Sequence, residues 1–386
     1  MLDTIISSFR ITREITQVIF DNLNRWHDDT IPPSVAAITP AWLTDVLQAH
    51  VEGVQVKSVE PLSEVSGTTT HARIALTYNE VGEKSDFPSS MFLKLPPREF
   101  ATKVFVSLFN LARNETRFYN EISPEIQSLV PKAYYAKSKV RGPGFILLFE
   151  DLNAGGYHFK DVTSRCTPDD AEMVIRVLGK IHGKYWESPR LTGDLAWLPT
   201  YRKDKNVRLN RLMRKWALKR TLAKFGDIIP DPVKESGNYI NQKYDDLEEY
   251  WAQPPQTFIH GDSHVGNMYF SDHDMGFLDW QVVRQGQGMR DVSYFMVASL
   301  PTEVRRAHER DLIRLYLDCL AGMGISDLNF EQAWEQHRLH AFYTWIAQIV
   351  TAAAGTLQSE PIVRAGLKRT GTAIVDLDSL GALRDL

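Results

Sequence analysis

Between residues 260 and 267 the chain reads His-Gly-Asp-Ser-His-Val-Gly-Asn, which sets a carboxylate, Asp262, and a carboxamide, Asn267, five positions apart. A second carboxylate, Asp279, follows twelve residues after Asn267. Phosphoryl transfer uses three such groups. One carboxylate orients the attacking hydroxyl and accepts its proton, while a carboxylate and an amide oxygen hold the magnesium that bridges the phosphates. Any one of these aspartates alone reads as an N-cap or turn residue. Their occurrence together, in order, points to chemistry.

These residues need short, rigid supports, and the surrounding pattern supplies them. TFIHGD, NMYF and MGFLDWQ are brief strand-like runs in a stretch that beyond Asp151 reads as mostly helical. Within it, Thr167-Pro168-Asp169-Asp170 opens a helix that carries Ala171, Val174, Ile175, Leu178, His182 and Tyr185 on one face. The first half reads differently. Phe9, Ile15, Val18, Ile19, Leu23 and Trp26 recur at helical spacing over residues 3–28, and the pair Pro32-Pro33 ends that run. Thr39-Pro40 caps a short helix, AWLTDVLQAH. From Val54 the period changes to that of strands in VQVKSVEPL, ARIALTYNE and SMFLKL. A helical stretch over residues 101–121 follows, then AYYAKSKV and GFILLFEDL, joined by the turn Arg141-Gly142-Pro143-Gly144.

Composition narrows the class. A chain of 386 residues with 43% hydrophobic and 24% charged residues and a net charge of −4 is an ordinary globular one, which implies no nucleic-acid partner and no anionic-membrane partner. The two cysteines, Cys166 and Cys319, are far apart and in no metal-ligand spacing, which fits a reducing compartment; the cytoplasm is the expected location. Asp3, Arg10 and Arg13 interrupt what a signal peptide would need. The longest uncharged stretch, Leu339 to Ser359, contains His340, Thr344, Gln348, Thr351, Thr356 and Gln358, and so reads as a buried helix rather than a membrane span.

His-Gly-Asp, Asn267 and the run Leu278-Asp279-Trp280-Gln281, with Asp291 in GMRDVSYFM, resemble the aminoglycoside phosphotransferase and choline kinase superfamily. The closest likeness is to its ecdysteroid-kinase-like branch, over about residues 36–370. The resemblance implies an α+β, protein-kinase-like fold of two lobes. Its N-lobe is an antiparallel sheet with one helix, and its C-lobe is mostly helical. The expected organisation is a helical extension over residues 1–35, a nucleotide-binding N-lobe over 36–150 and a catalytic C-lobe over 151–386. Carried over residue by residue, the likeness makes Asp262 the base, Asn267 and Asp279 the magnesium ligands, Asp291 a brace for the catalytic loop, and His260 and His182 packing residues. Lys94 in FLKLPP would meet the α and β phosphates of ATP, held by Glu115 on the following helix. Arg113, Asn114, Phe118 and Tyr119 surround that glutamate in a segment similar to the family's. Adenine would pair with backbone at Glu150, Asp151 and Leu152, with Leu148 and Phe149 open to a core reading.

Three points stay open. The turn at Ser66, Gly67, Thr68 and Thr69 has one glycine, and it reads equally as a phosphate-covering loop and as a plain hairpin. His264 either approaches substrate or fills the loop. The basic stretch from Arg211 to Arg220 reads as a solvated helix face rather than a partner site. The implied activity is ATP- and magnesium-dependent phosphorylation of a small-molecule hydroxyl. Residues 200–225 and 335–360, rich in Trp, Tyr, Phe and Ala, favour an apolar or anionic alcohol over a polycationic aminoglycoside. The alternative is a catalytically inactive kinase-like nucleotide- or metabolite-binding module. A protein kinase is disfavoured, because no Ala-Pro-Glu segment follows Asp279 and only 12 residues separate it from Asp291.

Overall fold

The computed structural model describes residues 2–23, 30–140, 142–272, 274–355 and 357–386. Trp26 and the rest of residues 24–28, expected to continue the first helix, lie outside the described residues, as do Arg141 of the expected turn and Thr356 of the uncharged stretch. Two compact units are present, residues 5–158 and residues 159–386 with residues 1–4.

After helix α1 (Leu2–Leu23), the first unit opens with α2 (Pro40–Gln48), where the Thr39 side chain accepts from Trp42 N–H and Pro40 takes the first helical position. The sheet is built from β1 (Val56–Ser66), β2 (Thr70–Tyr78), β3 (Ser90–Leu95), β4 (Ala133–Ser138) and β5 (Phe145–Glu150), in the order β1-β2-β3-β5-β4 with antiparallel neighbours. A one-turn helix, α3 (Glu80–Glu83), follows β2. Successive residues of a strand face opposite sides. Met91, Leu93 and Leu95 therefore join Leu43, Ile74 and Ile146 in one core, while Lys94 points to the other face. The stretch expected to be helical over 101–121 is helical in two pieces, α4 (Phe100–Leu108) and α5 (Leu111–Glu121). The break is at Asn110, whose φ of 55° is left-handed. Asn is among the few side chains that tolerate this, because its short amide can bond locally.

The second unit is mostly helical. Its helices are α6 (Pro168–Lys184), α7 (Val207–Phe225), α8 (Asp231–Trp251), α9 (Met289–Ser299), α10 (Thr302–Ala321), α11 (Phe330–Ala354), α12 (Glu360–Asp376) and α13 (Ser379–Asp385). Helix α6 begins in a full capping box between Thr167 and Asp170. One core gathers α7, α8, α11, α12 and α13 around Trp251 and Trp345, both fully buried. The uncharged stretch from Leu339 is the buried second half of α11, with Leu339, His340, Thr344 and Trp345 all inside. Among the described residues no helix is long and apolar enough to cross a membrane. The short runs expected around the site are strands: Thr257–Ile259 pairs with Arg284–Gly286, and Met268–Phe270 pairs with Met275–Phe277, each antiparallel.

Candidate active site

The loop that follows the Thr257–Ile259 strand is fixed from beneath by Asp291 in the first turn of α9. This carboxylate is fully buried and accepts the His260 N–H at 2.6 Å, the Gly261 N–H at 2.9 Å and His182 Nε2 at 3.4 Å. Burial would raise its pKa, but the His182 hydrogen bond and the His182 and His260 rings outweigh it and hold the carboxyl below its ordinary value. His182 is fully buried and has its other ring nitrogen 2.9 Å from the Tyr316 hydroxyl, in keeping with a packing role. Gly261 adopts φ +86°, and a Cβ there would lie 2.4 Å from the Val282 carbonyl oxygen, so the turn requires glycine.

His260 is a clip. Leu278 offers a carbonyl at 2.8 Å, so Nε2 carries the proton, and Nδ1 then accepts the Asp262 N–H at 3.2 Å. Burial pulls its pKa below the usual histidine value, against the pull of Asp291. The Leu278 N–H in turn donates to the Asn267 carbonyl at 2.8 Å, and Asn267 Nδ2 donates to the Asp262 carbonyl at 2.9 Å and to its carboxylate at 3.0 Å. The four residues close a ring. Within it the Asp262 side chain keeps 28% exposure, while His260 and Asn267 are buried. A half-exposed carboxylate held from behind suits a group that must receive a proton from a ligand.

Asp279 ends the ring's second segment. Its φ of 58° is left-handed, a conformation costing a non-glycine residue roughly 1–2 kcal/mol and typical of functional sites. Its carboxylate accepts Gln281 Nε2 at 3.0 Å. Because the Asn267 amide nitrogen is committed to Asp262, the oxygen is the ligand atom that Asn267 can offer. Among the described residues no group of three or more His, Cys, Asp and Glu side chains gathers to hold an ion. An oxygen pair of this kind fits magnesium, which keeps waters and takes further oxygens from substrate phosphates. His264 is half-buried, takes the Gly266 N–H on Nδ1 at 3.0 Å and presents Nε2 3.7 Å from the Asp262 carboxylate.

In the first unit, Lys94 and Glu115 form a buried pair at 2.7 Å, with side chains 5% and 2% exposed. Glu115 sits on the inward face of α5 beside Phe118 and Tyr119; Arg113 faces outward. The hairpin tip is exposed at Ser66 and Gly67 and buried at Thr69. The Gly67 N–H closes on the Thr69 carbonyl at 2.9 Å, so that donor serves the turn itself. At the end of β5, Leu148 and Phe149 are core. Glu150 binds Lys132 through both its N–H and its side chain. The Asp151 carboxylate is buried under Arg73 at 2.7 Å and Ser90 at 2.9 Å. Burial works against its charge, but these hydrogen bonds, with Asn153 and the Arg73 charge, hold its pKa low. The Asp151 and Leu152 carbonyls accept the N–H groups of Ala154 and Gly155.

The basic helix corrects one expectation. Lys215, Lys219 and Arg220 are exposed, but Arg214 is only 2% exposed and lies 3.9 Å over the Tyr244 ring. Sequence reasoning also passed over Tyr294, Tyr343 and Arg290. Tyr294 is buried, and burial first, with the Asp262 carboxylate next, raises its pKa well above normal. Tyr343 and Arg290 both donate to the Gly261 carbonyl, at 3.1 and 3.3 Å. Tyr294 was within reach, since it stands three residues after Asp291 on α9 and so lies one turn along the same face; Arg290, one residue before, does not share that face. Tyr343 is distant in sequence and gives no local signal.

The chain matches the model of the ecdysteroid kinase-like family over residues 68–329. No curated protein matches it. Among solved structures it resembles a choline kinase from Cryptosporidium parvum Iowa II, at 12% identity, covering 88% of this chain and 96% of that one with a TM-score of 0.51. It also resembles a Ralstonia eutropha protein assigned as an aminoglycoside phosphotransferase, at 15% identity, covering 88% and 97% with a TM-score of 0.50. At such identities the likeness speaks for the fold, which is kinase-like.

Proposed function

The chain belongs to the ecdysteroid kinase-like family, and from that premise we propose that it is a small-molecule kinase that moves a phosphoryl group from magnesium-bound ATP to a hydroxyl. The observation that carries the reading is Asp262, a half-exposed carboxylate held by a buried ring that includes Asn267 and leads directly into Asp279. Asp262 orients the acceptor hydroxyl and takes its proton as the oxygen bonds to phosphorus. Lys94, paired with Glu115, meets the α and β phosphates. Asn267 through its amide oxygen and Asp279 through its carboxylate would hold magnesium, which offsets charge on the phosphates. Ser66, Gly67, Thr68 and Thr69 would lie over the phosphates and the backbone of Glu150, Asp151 and Leu152 beside adenine. The acceptor is an apolar or anionic alcohol rather than a polycationic amine, in line with the aromatic and basic character of α7 and α11.

The test is magnesium-dependent ATP consumption across a panel of aminoglycosides, choline-like amines, sterols and hydroxy acids. One acceptor class should stimulate wild type. Asp262→Ala should lose that stimulation yet bind Mg-ATP nearly as wild type, while Asp279→Ala should lose metal-dependent nucleotide binding. Equal loss of binding in both variants would overturn these roles.

A further inference from the structure

A cluster of arginines and tyrosines in the second unit abuts the catalytic loop and is not used by the proposed transfer. Arg284, five residues after Asp279, is half-buried, with its guanidinium 4.2 Å from the Tyr201 ring. It has no ion pair or side-chain hydrogen bond among the described residues, and its Nε is buried without an acceptor. Arg290, 2% exposed, stands 3.6 Å over the Tyr343 ring and donates to the Tyr201 hydroxyl at 2.9 Å; its Nε too has no acceptor. Arg214 reaches Asp245 at 3.4 Å and Glu248 only at 4.0 Å, leaving Nε and Nη1 buried without hydrogen bonds. The groups are contiguous. Trp251 touches the rings of Tyr201, Tyr244 and Tyr343, and Glu248 feels the charges of both Arg214 and Arg284.

Buried guanidinium donors without acceptors are uncommon, because each gives up water and gains nothing. A guanidinium can also stack on an aromatic face while its planar fork of donors stays matched to a carboxylate. We propose that this cluster is the acceptor's anion subsite: the substrate is a hydroxy acid whose carboxylate is bound by Arg284, with the tyrosine frame taking its apolar body. That the bound acid is the acceptor rests on the kinase reading. The placement of the subsite rests on Arg290 and Tyr343, which both hold the Gly261 carbonyl next to Asp262.

The experiment is calorimetric binding, without ATP, of cholate, 3-hydroxydecanoate and 4-hydroxyphenylacetate, each beside its methyl ester. At least one acid should bind wild type about tenfold or more tightly than its ester, the loss expected for a charge-assisted contact. Arg284→Gln should bring that acid down to its ester, and Arg284→Lys should recover part of the difference. The wild-type comparison stands even where a variant folds poorly. If no acid binds, if esters bind as tightly, or if the preference survives in Arg284→Gln, the inference is overturned. Acid binding without any phosphorylation would count against the kinase reading alone. Turnover of a neutral alcohol with no acid bound would count against the subsite alone.

Discussion

Replacing Asp291 by Asn keeps shape and size but changes what the group can accept. In the wild type one oxygen takes the His260 N–H and faces His182, and the other takes the Gly261 N–H. An amide has one oxygen. Whichever way it turns, its NH2 meets a buried backbone N–H, and a buried donor left unsatisfied costs about 1–3 kcal/mol, more when its former partner was charged. With the second contact weakened, the whole change should cost about 2–5 kcal/mol. For a unit of this size that lowers Tm by on the order of 10 °C. Urea titration and thermal melts measure it. The pH dependence makes the test sharper. Asp291 has its folded pKa below the unfolded one, so its contribution is present above about pH 4 and is lost as pH falls through the lower folded value. The gap between wild type and Asp291→Asn should therefore close in acid. A variant within about 0.5 kcal/mol of wild type at pH 7 would refute the idea that this carboxylate holds the loop.

Lys94→Met should weaken Mg-ATP binding and, by leaving Glu115 buried without its cation, cost about 3–5 kcal/mol. Adding Glu115→Gln should restore much of the stability but none of the binding, as denaturation and nucleotide titration would report. Gly261→Ala combines a left-handed φ, worth roughly 1–2 kcal/mol, with a Cβ pressed on the Val282 carbonyl. A loss above about 2 kcal/mol in urea is expected, with transfer reduced alongside. Glu248 has its pKa pushed up to about 7, by burial first, with Asp245 and Asp204 adding to it and Arg214 and Arg284 opposing. It is protonated below that value and negative above it. Affinity for an anionic acceptor should thus fall as pH rises through 7, and Glu248→Gln should flatten that decline.

The strands, the helix caps and the order of the site residues were legible because each follows from local chemistry. Thr39 and Thr167 cap helices with side chains that can do little else there, and β3 alternates so that Lys94 must oppose Leu93. The break at Asn110 was not legible, since nothing in the composition of 101–121 forbids one continuous helix. The burial of Arg214 was hidden for a related reason. Its neighbours Lys215 and Arg220 are solvated, and only the tertiary approach of Tyr244 and Asp245 on α8 separates it from them. Tyr343 and Arg284 owe their places to chain segments that meet only in the folded unit.

The ring through Asp262, His260, Leu278 and Asn267 couples two stretches of chain that carry different duties. Were Asp279 to hold a cation as proposed, the pull on it would reach Leu278, and through the Leu278 carbonyl and N–H both His260 and Asn267. The two stretches would then shift as one body, so mutational losses at His260, Asn267 and Asp279 should fail to add. In the roles proposed for Asp262 and Asp279, a linkage of this kind would let a charged cosubstrate set the aim of the carboxylate before the acceptor comes.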